Sequence, residues 1–252
     1  KNAFCIGKDQ LFYPSPYIGD MGDVRTVKAL KESVKRMEEL LEVKPEIVAC
    51  DMHPSYNTRA AAEEMGLPVF PVQHHYAHIL SCMAENEWTT KKKVIGVSFD
   101  GTGYGTDGTI WGGEILLADY DSFKRWGCIE PFAQTGGDAS AKEGWRVAVS
   151  LLGKIYEKEI ALSIIETLGL CESKLAKLQF TMEERGINTV KSTSAGRLFD
   201  AVSAILGIRK SSTFEGEAST SLQFAAEKWL DSQEEKIAEY EDFVESGVIT
   251  EY

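Results

Sequence analysis

The sequence predicts an α/β fold in two lobes, and three features of the 252-residue chain lead to this prediction. Short apolar strands alternate with amphipathic helices in the first part of the chain, which is the pattern of an α/β layer. A polar stretch without periodicity at 87–93 then precedes a new strand of the buried type. Beyond it, strand-like segments are followed by helices. We therefore expect a first lobe at residues 1–90 and a second lobe at 91–252.

The first lobe is predicted to contain a hairpin, two further strands and two helices. Apolar residues recur at helical spacing from Val24 to Leu41, and Asp23 stands where it can cap the start of that helix. Gly66 is expected to end the second helix. The other elements of this lobe are strands at 3–6, 11–13, 46–50 and 67–72 and a helix at 58–65.

The second lobe is predicted to begin with strands and to continue with helices. Ser194 can cap one of these helices and Gly207 can close it, with Leu198, Val202 and Ile205 as its buried stripe. The predicted strands lie at 94–99, 110–118 and 126–132, and the predicted helices at 145–156, 160–168, 172–184, 194–206 and, in a long acidic segment, 217–245.

Composition excludes several classes of protein. With 27 Lys+Arg against 39 Asp+Glu, the net charge is −12, which opposes binding to a nucleic-acid backbone. No apolar run approaches the length of a membrane span, so we expect a soluble protein without a membrane partner. The five cysteines are scattered and form neither a metal knuckle nor a disulfide framework, which favours the cytoplasm.

Three of the four histidines fall within five residues, where a strand leads into a helix. On a helix, His74 and His78 are i and i+4 on one face, where two imidazoles can hold one divalent cation, and His75 points elsewhere. A tight site needs a third ligand, which the sequence does not identify, and zinc and iron both accept imidazole. The alternative for these three is a set of histidines satisfied by hydrogen bonds at a lobe interface. His53, which stands alone, is expected to be structural.

A glycine-rich segment at 100–109 is the second candidate. Its Gly103-to-Gly108 portion matches the dinucleotide pattern G-x-G-x-x-G, but the next residues are strand-like rather than helical, so a Rossmann site is excluded. We expect a strand, a glycine-rich turn and a strand. The backbone amides and the Thr102 hydroxyl could then hold a phosphate, as in actin-like and sugar-kinase-like folds. The alternative is a plain hairpin turn.

The predicted helix at 194–206 is the third candidate. Gly196 is small enough to allow a ligand or another backbone to approach the start of the helix. Asp200 is expected to lie off the apolar stripe, where its carboxylate could accept hydrogen bonds from ribose hydroxyls. The alternative is an exposed, solvated carboxylate.

A glycine turn that leads into a helix is the fourth candidate. Two cations, Lys142 and Arg146, follow Gly137 and Asp138 and could bind an anion at the helix start. An ordinary turn and helix cap explain the same residues equally well.

Taken together, these motifs resemble the C-terminal carbamoyl-transfer domain of the HypF family, the carbamoyltransferases of nickel–iron hydrogenase maturation. The resemblance extends through nearly the whole chain. It rests on Y-I-G-D at 17–20, D-M-H-P at 51–54, V-Q-H-H-Y-A-H at 72–78, F-D-G-T-G-Y-G at 99–105, I-W-G-G-E at 110–114, G-G-D at 136–138, S-T-S-A-G-R-L-F-D at 192–200 and F-E-G at 214–216.

The resemblance implies an actin-like, sugar-kinase-like ATPase fold of the ribonuclease H-like class, with ATP-derived carbamoyl adenylate between two lobes. The carbamoyl group would pass to the C-terminal cysteine of the partner protein HypE. His74 and His78 would bind a divalent metal, zinc or iron. The nucleotide-binding residues would be Asp100, Gly101, Thr102, Gly103, Tyr104, Gly105, Gly196 and Asp200.

The chain departs from the family pattern at a few positions. Tyr76 replaces a third histidine, Lys142 an arginine and Gly144 a proline. The family also continues beyond the acidic helix to an Asp that completes the metal and nucleotide sites, so we expect a fragment with an incomplete second lobe and half a nucleotide cleft. The alternatives are O-carbamoylation of a small hydroxylated molecule and a non-catalytic metal-binding docking module, while the charge disfavours threonylcarbamoylation of tRNA.

Overall fold

The computed structural model of the chain describes residues 2–232. The chain forms two compact units that are not consecutive segments. Of the described residues, the first unit comprises 2–98 together with Gly103–Gly108 and Leu116–Arg125. The second comprises Phe99–Thr102, Thr109–Ile115 and 126–232. The lobe boundary near residue 90 stays a prediction. Among the described residues, no helix has the length and apolarity required to cross a membrane.

The first unit contains the predicted hairpin, strands and helices. Asp23 caps α1 as predicted, because its carboxylate accepts a hydrogen bond of 2.8 Å from the Arg25 amide. The hairpin is antiparallel and β3 pairs with β4 in parallel. The elements are β1 (Cys5–Lys8), β2 (Leu11–Pro14), α1 (Val24–Leu41), β3 (Val48–Asp51), α2 (Asn57–Glu63), β4 (Val69–Val72) and α3 (His74–Glu85).

The register of the parallel pair determines what lies beside the start of α3. Asp51, the last residue of β3, is opposite Val72, the last residue of β4. Only Gln73 separates β4 from α3. Because parallel strands end at the same edge of a sheet, the end of β3 lies beside the first turn of α3.

Five strands form a mixed sheet in the described part of the chain, in the order β5-β6-β9-β8, with β7 also paired to β6. The strand predicted at 126–132 is wrong, because β7 ends at Cys128 and β8 starts only at Phe132. Short β9 was not predicted; it runs parallel to β6 and antiparallel to β8. The strands are β5 (Val94–Tyr104), β6 (Ile110–Ala118), β7 (Phe123–Cys128), β8 (Phe132–Thr135) and β9 (Thr189–Ser192).

The core of the second unit forms around α4, whose residues Val147, Ala148 and Val149 are fully buried. The predicted helices are confirmed, except that the acidic segment is described only to Asp231 in α8 and its remainder lies outside the described residues. After a short 3-10 helix at Gly137–Ala141, the helices are α4 (Gly144–Ile155), α5 (Lys158–Leu168), α6 (Ser173–Arg185), α7 (Ala195–Ile205) and α8 (Glu217–Asp231).

The buried face of α7 differs from the predicted one. Leu198, Val202 and Ile205 are only partly buried, whereas the buried positions are Ala195, Asp200, Ala201, Ser203 and Ala204. The reason is close packing against α4: a Cβ on Gly144 would lie 2.7 Å from the Asp200 carbonyl oxygen. Small residues permit this approach, so apolar size did not identify the inward face.

Candidate functional site

The first candidate site lies at the start of α3, and it places two imidazoles together. Gln73 caps the helix by accepting a hydrogen bond of 2.9 Å from the Tyr76 amide. His74 and His78 are one turn apart, and their Nε2 atoms are separated by 3.3 Å. Two imidazoles that bind one tetrahedral ion at about 2.0–2.1 Å have their nitrogens about 3.3–3.4 Å apart. The pair therefore fits a single divalent cation.

The third histidine of the motif points away from the pair, as predicted, and its side chain lies inside the first unit. His75 is fully buried, and its Nδ1 lies 3.1 Å from Nε2 of Gln73. The same Gln73 amide donates to the carbonyl oxygen of Tyr104 at 3.2 Å. His75 is thus a packing residue of the first unit, and it fixes the helix that carries the other two histidines.

An acidic residue beside His74 was not predicted. Oδ2 of Asp51 lies 2.8 Å from Nδ1 of His74, and Oδ1 accepts a hydrogen bond of 2.8 Å from the His53 amide. Burial would raise the pKa of this carboxyl, but the hydrogen bonds from His74 and the His53 amide outweigh it and hold the pKa below its ordinary value. The signal in the sequence was the position of Asp51 at the end of a strand that precedes the histidine motif.

The glycine-rich segment is mostly strand rather than turn, which corrects the prediction. Residues 100–104 belong to β5, and the turn follows at 105–109, where Gly108 has φ +76°. Gly103 lacks a side chain because a Cβ there would overlap the ring of His75 and lie 2.9 Å from Cβ of His74. Within the first unit, the glycine-rich segment and the histidine motif are therefore in direct contact.

The side chain beyond Gly103 extends this contact. The ring of Tyr104 lies 5.0 Å, edge-on, from the ring of His53, which in turn stacks on Tyr56 at 4.0 Å. The predicted structural role of His53 agrees with this stacking. The histidine motif is therefore enclosed by a strand end, a loop and β5 of the same unit.

A cavity of about 320 Å³ opens beside the histidine pair in the first unit. His78 lines it, and its other walls come from α3 and the first half of β5. Most of these residues are apolar, so the His78 imidazole stands at the border of an apolar pocket. The apolar lining includes Ile79, Met83, Trp88, Val94, Ile95 and Val97.

In the second unit, the middle of β5 meets the start of α7. A Cβ on Gly196 would lie 2.9 Å from Cα of Gly101, so the helix approaches the strand at backbone distance. The Ser194 hydroxyl donates to the Gly101 carbonyl at 2.6 Å and accepts from the Arg197 amide at 3.0 Å, which confirms the predicted cap. Gly101 and Gly196, two predicted nucleotide ligands, are thus brought together.

Asp200 is buried, and the expectation that it lies off the buried face is wrong. Its Oδ2 accepts a hydrogen bond of 2.7 Å from Nε of Arg197 one turn earlier. Burial raises the pKa of the Asp200 carboxyl above its ordinary value, and the charge of Arg197 opposes this rise. A ribose role for this carboxylate stays a prediction.

The predicted anion-binding turn carries an internal ion pair. Gly136 and Gly137 both have positive φ, +112° and +56°. Nε of Arg146 donates to Glu143 at 2.6 Å, and its guanidinium lies 4.5 Å from the ring of Trp145. An anion at Gly137, Asp138 and Lys142 would compete with Glu143 for Arg146, so this role stays a prediction.

Glu114, in the middle of β6, is a second residue that sequence reasoning missed. The side chain is fully buried and accepts hydrogen bonds from the amides of Gly112 and Gly113 at 3.2 and 3.3 Å. The Thr193 hydroxyl also donates to it. Glu114 thereby ties β6 to the residue before the α7 cap, and a lone acid in an apolar strand was the available signal.

Two family models match the chain. The HypF Kae1-like domain matches residues 1–85, and the second subdomain of the carbamoyltransferase Kae1-like domain matches residues 96–249. Carbamoyltransferase HypF2 of Cupriavidus necator is 37% identical over 234 residues, which cover 91% of this chain and 28% of that protein. The probable carbamoyltransferase HypF of Methanocaldococcus jannaschii is 36% identical over 89% of this chain and 30% of its own length.

Solved structures agree with these matches. A crystal structure of full-length HypF in the phosphate- and nucleotide-bound form has a TM-score of 0.80 and 38% identity, covering 88% of this chain and 28% of that one. HypF of T. kodakarensis has a TM-score of 0.77 and 34% identity, covering 87% and 30%. The chain thus spans under a third of the length of these relatives. It belongs to the HypF family and corresponds to the Kae1-like carbamoyltransferase domain of that family.

Proposed function

We propose that the chain is the carbamoyl-transfer domain of a longer HypF protein. In this proposal it moves a carbamoyl group from carbamoyl adenylate to the C-terminal cysteine of HypE during maturation of nickel–iron hydrogenases. Its two lobes would be those of an actin-like ATPase, working in the cytoplasm. Membership of the family supports the reaction class, and the paired imidazoles support the site.

The observation that carries the proposal is the 3.3 Å separation of the two Nε2 atoms on α3. His74 and His78 would together hold zinc or iron, for which imidazole is a suitable ligand. When bound, such a cation would polarise the carbonyl oxygen of the carbamoyl group.

The nucleotide is assigned to β5 and the start of α7. The glycines of the 100–105 segment would leave peptide groups that a phosphate can approach closely. The Thr102 hydroxyl donates to the Gly101 carbonyl at 2.5 Å and would have to turn toward the phosphate to act as a further donor. Gly196 keeps the first turn of α7 free of side chain, and Asp200 would bind the ribose. Gly137, Asp138, Lys142 and Arg146 are assigned to an anionic part of the substrate.

The transfer needs no nucleophile from this chain. The HypE thiolate would attack the carbamoyl carbon, a C–S bond would form, and the C–O bond to the phosphate of AMP would break with the electron pair leaving on AMP. The five cysteines are free thiols in separate places, and burial raises the pKa of Cys50 and of Cys171. An activated catalytic thiol has a lowered pKa, so the raised pKa of Cys50 and of Cys171 argues against a catalytic role for either.

Calorimetric titration of the folded chain with Zn²⁺, Fe²⁺ and AMP tests the site. We expect His78→Ala to weaken cation binding at least about tenfold, because one of two imidazole ligands is lost. His53→Ala is the matched control and should bind as the unchanged chain does, since His53 stacks on Tyr56. A folded chain that binds neither cation nor AMP would instead be a docking module.

Mass spectrometry of HypE tests the reaction. Incubation of the longer HypF protein that contains this chain with Zn²⁺ or Fe²⁺, carbamoyl adenylate and HypE should add one carbamoyl group to the C-terminal cysteine, and His78→Ala should slow this addition. HypE that lacks this cysteine is the control and should gain no mass. Carbamoylation of an added small hydroxylated molecule, with HypE unmodified, would overturn the proposed acceptor in favour of O-carbamoylation.

A further inference from the structure

Asp51 lies beside the histidine pair without belonging to it. The parallel register of β3 and β4 places Asp51 opposite Val72, two residues before His74. Its Oδ2 contacts Nδ1 of His74 at 2.8 Å, on the opposite side of the ring from the Nε2 atom that faces His78. Asp51 therefore acts on the presumed ligand atom only through the imidazole ring.

The carboxylate of Asp51 is itself held in one orientation. Its other oxygen accepts the His53 amide at 2.8 Å, which closes a short turn after β3. The side chain is largely buried, with 18% of its surface exposed. Two hydrogen bonds to fixed donors prevent the carboxylate from turning away, so the oxygen that faces His74 is preorganised before any ligand binds.

The direction of the hydrogen bond follows from the chemistry of the two groups. An ionised carboxylate only accepts, so Nδ1 of His74 must carry the proton. In a neutral imidazole, Nε2 then carries the lone pair.

We infer that Asp51 is a positioning residue that holds His74 in the Nδ1–H tautomer and so presents its Nε2 lone pair to a divalent cation. This inference rests on the proposed metal site. Carboxylate, imidazole and cation then form a chain in which the carboxylate fixes the ring and raises its basicity. Loss of such an outer partner weakens cation binding by about 10- to 100-fold.

The tautomer can be read without any metal. Two-bond ¹H–¹⁵N correlation spectra of histidine-labelled chain, recorded well above the ordinary imidazole pKa of about 6.5, distinguish the two neutral forms. We expect the Nδ1–H form for His74 in the unchanged chain. An Nε2–H form there would overturn the inference, and this measurement needs no variant that has to fold.

Variants of Asp51 supply the second test. The Asn side chain in Asp51→Asn has one acceptor oxygen, whereas the His53 amide and Nδ1 of His74 each use one oxygen of Asp51. The population of the Nδ1–H tautomer of His74 should therefore fall. Asp51→Ala should lower it as well. Titration with Zn²⁺ should show about 10- to 100-fold weaker binding for both variants. Asp119→Asn is the matched control, because it also removes one negative charge from the first unit. The Asp119 carboxylate accepts a hydrogen bond from the Ser122 amide and not from a histidine.

The possible results distinguish the positioning role of Asp51 from the proposed metal site on which it rests. Measurable Zn²⁺ binding by the unchanged chain and by Asp119→Asn, with about 10- to 100-fold weaker binding and an altered His74 tautomer in the Asp51 variants, supports both. Unchanged affinity and tautomer in the Asp51 variants overturn only the positioning role. An unchanged chain that is folded and binds no cation overturns the metal site, and the inference falls with it.

Discussion

Two helix starts pack against β5, one in each unit, and they are built in opposite ways. At the start of α3, the large rings of His74 and His75 face Gly103, and Asp51 and Gln73 hold those rings by hydrogen bonds. At the start of α7, Gly196 faces Gly101 with almost no side chain between them. The first start holds imidazole nitrogens in place, and the second lets a helix and a strand pack at backbone distance.

Under the proposed function, this difference would let one strand serve two kinds of binding. Rings fixed from several sides have a defined lone-pair direction, which a metal requires. At the second start, glycines let the helix N-terminus pack directly on the strand, which would bring peptide groups of both elements near the anionic ligand proposed there. In both places glycine in β5 permits the approach, although the neighbours of the glycine decide which chemistry results.

The largest expected effect comes from filling the space in front of the histidines. In Gly103→Ala the new methyl group would lie 2.4 Å from Cε1 of the fully buried His75, which is a severe overlap. We therefore expect a loss of about 2–3 kcal/mol in the free energy of unfolding. Urea denaturation measures this loss. Gly101→Ala is the control on the same strand: its Cβ would meet only Arg197 at 4.0 Å, and its stability should stay within about 0.5 kcal/mol. Equal losses in both variants would contradict the comparison.

A smaller loss is expected at the cap of α7. Ser194→Ala removes the hydroxyl that accepts the Arg197 amide and donates to Gly101, at a fully buried position. We expect a loss of about 1–2 kcal/mol in urea denaturation. Ser232→Ala, near the end of α8, should change stability by less than about 0.5 kcal/mol. A Ser194 variant as stable as that control would show that the cap does not hold α7 on the strand.

The buried acid on α7 predicts a pH dependence. Because burial raises the pKa of Asp200 above 3.8, the folded chain binds more protons than the unfolded chain between 3.8 and the raised value. The stability that this proton contributes is present below 3.8 and is lost as pH rises through the raised pKa. Relative to the unchanged chain, Asp200→Asn should therefore gain stability as pH rises through this window. Parallel denaturation curves across the window would contradict the assignment.

The smallest effect is expected on a surface that serves neither helix start. Lys28 and Glu32 form an i,i+4 pair on α1 at 3.7 Å, with side chains 78% and 62% exposed. Glu32→Gln should lower the free energy of unfolding by at most about 0.5 kcal/mol and should leave Zn²⁺ binding unchanged. A larger loss would mean that exposed charges, and not the packing at β5, dominate the stability of this chain.

Local sequence determined the helices, their caps and the histidine pair. Periodicity placed α1 behind Asp23, and the i,i+4 spacing of His74 and His78 alone implied a shared face. These features depend on neighbours within a turn or two of helix, which short-range chemistry specifies. The same is true of Ser194, whose hydroxyl reaches an amide three residues away.

Tertiary structure decided the rest, because it joins residues that are distant along the chain. Asp51 meets His74 only through the register of β3 on β4, and Thr193 meets Glu114 only through the pairing of β6 with β9. The inward turn of Asp200 follows from the close packing of α4 on α7. The glycines at 101 and 103 were predicted to lie in a turn but belong to strand β5. Each glycine there makes room for a neighbour that is distant in sequence, and no local pattern reveals that neighbour.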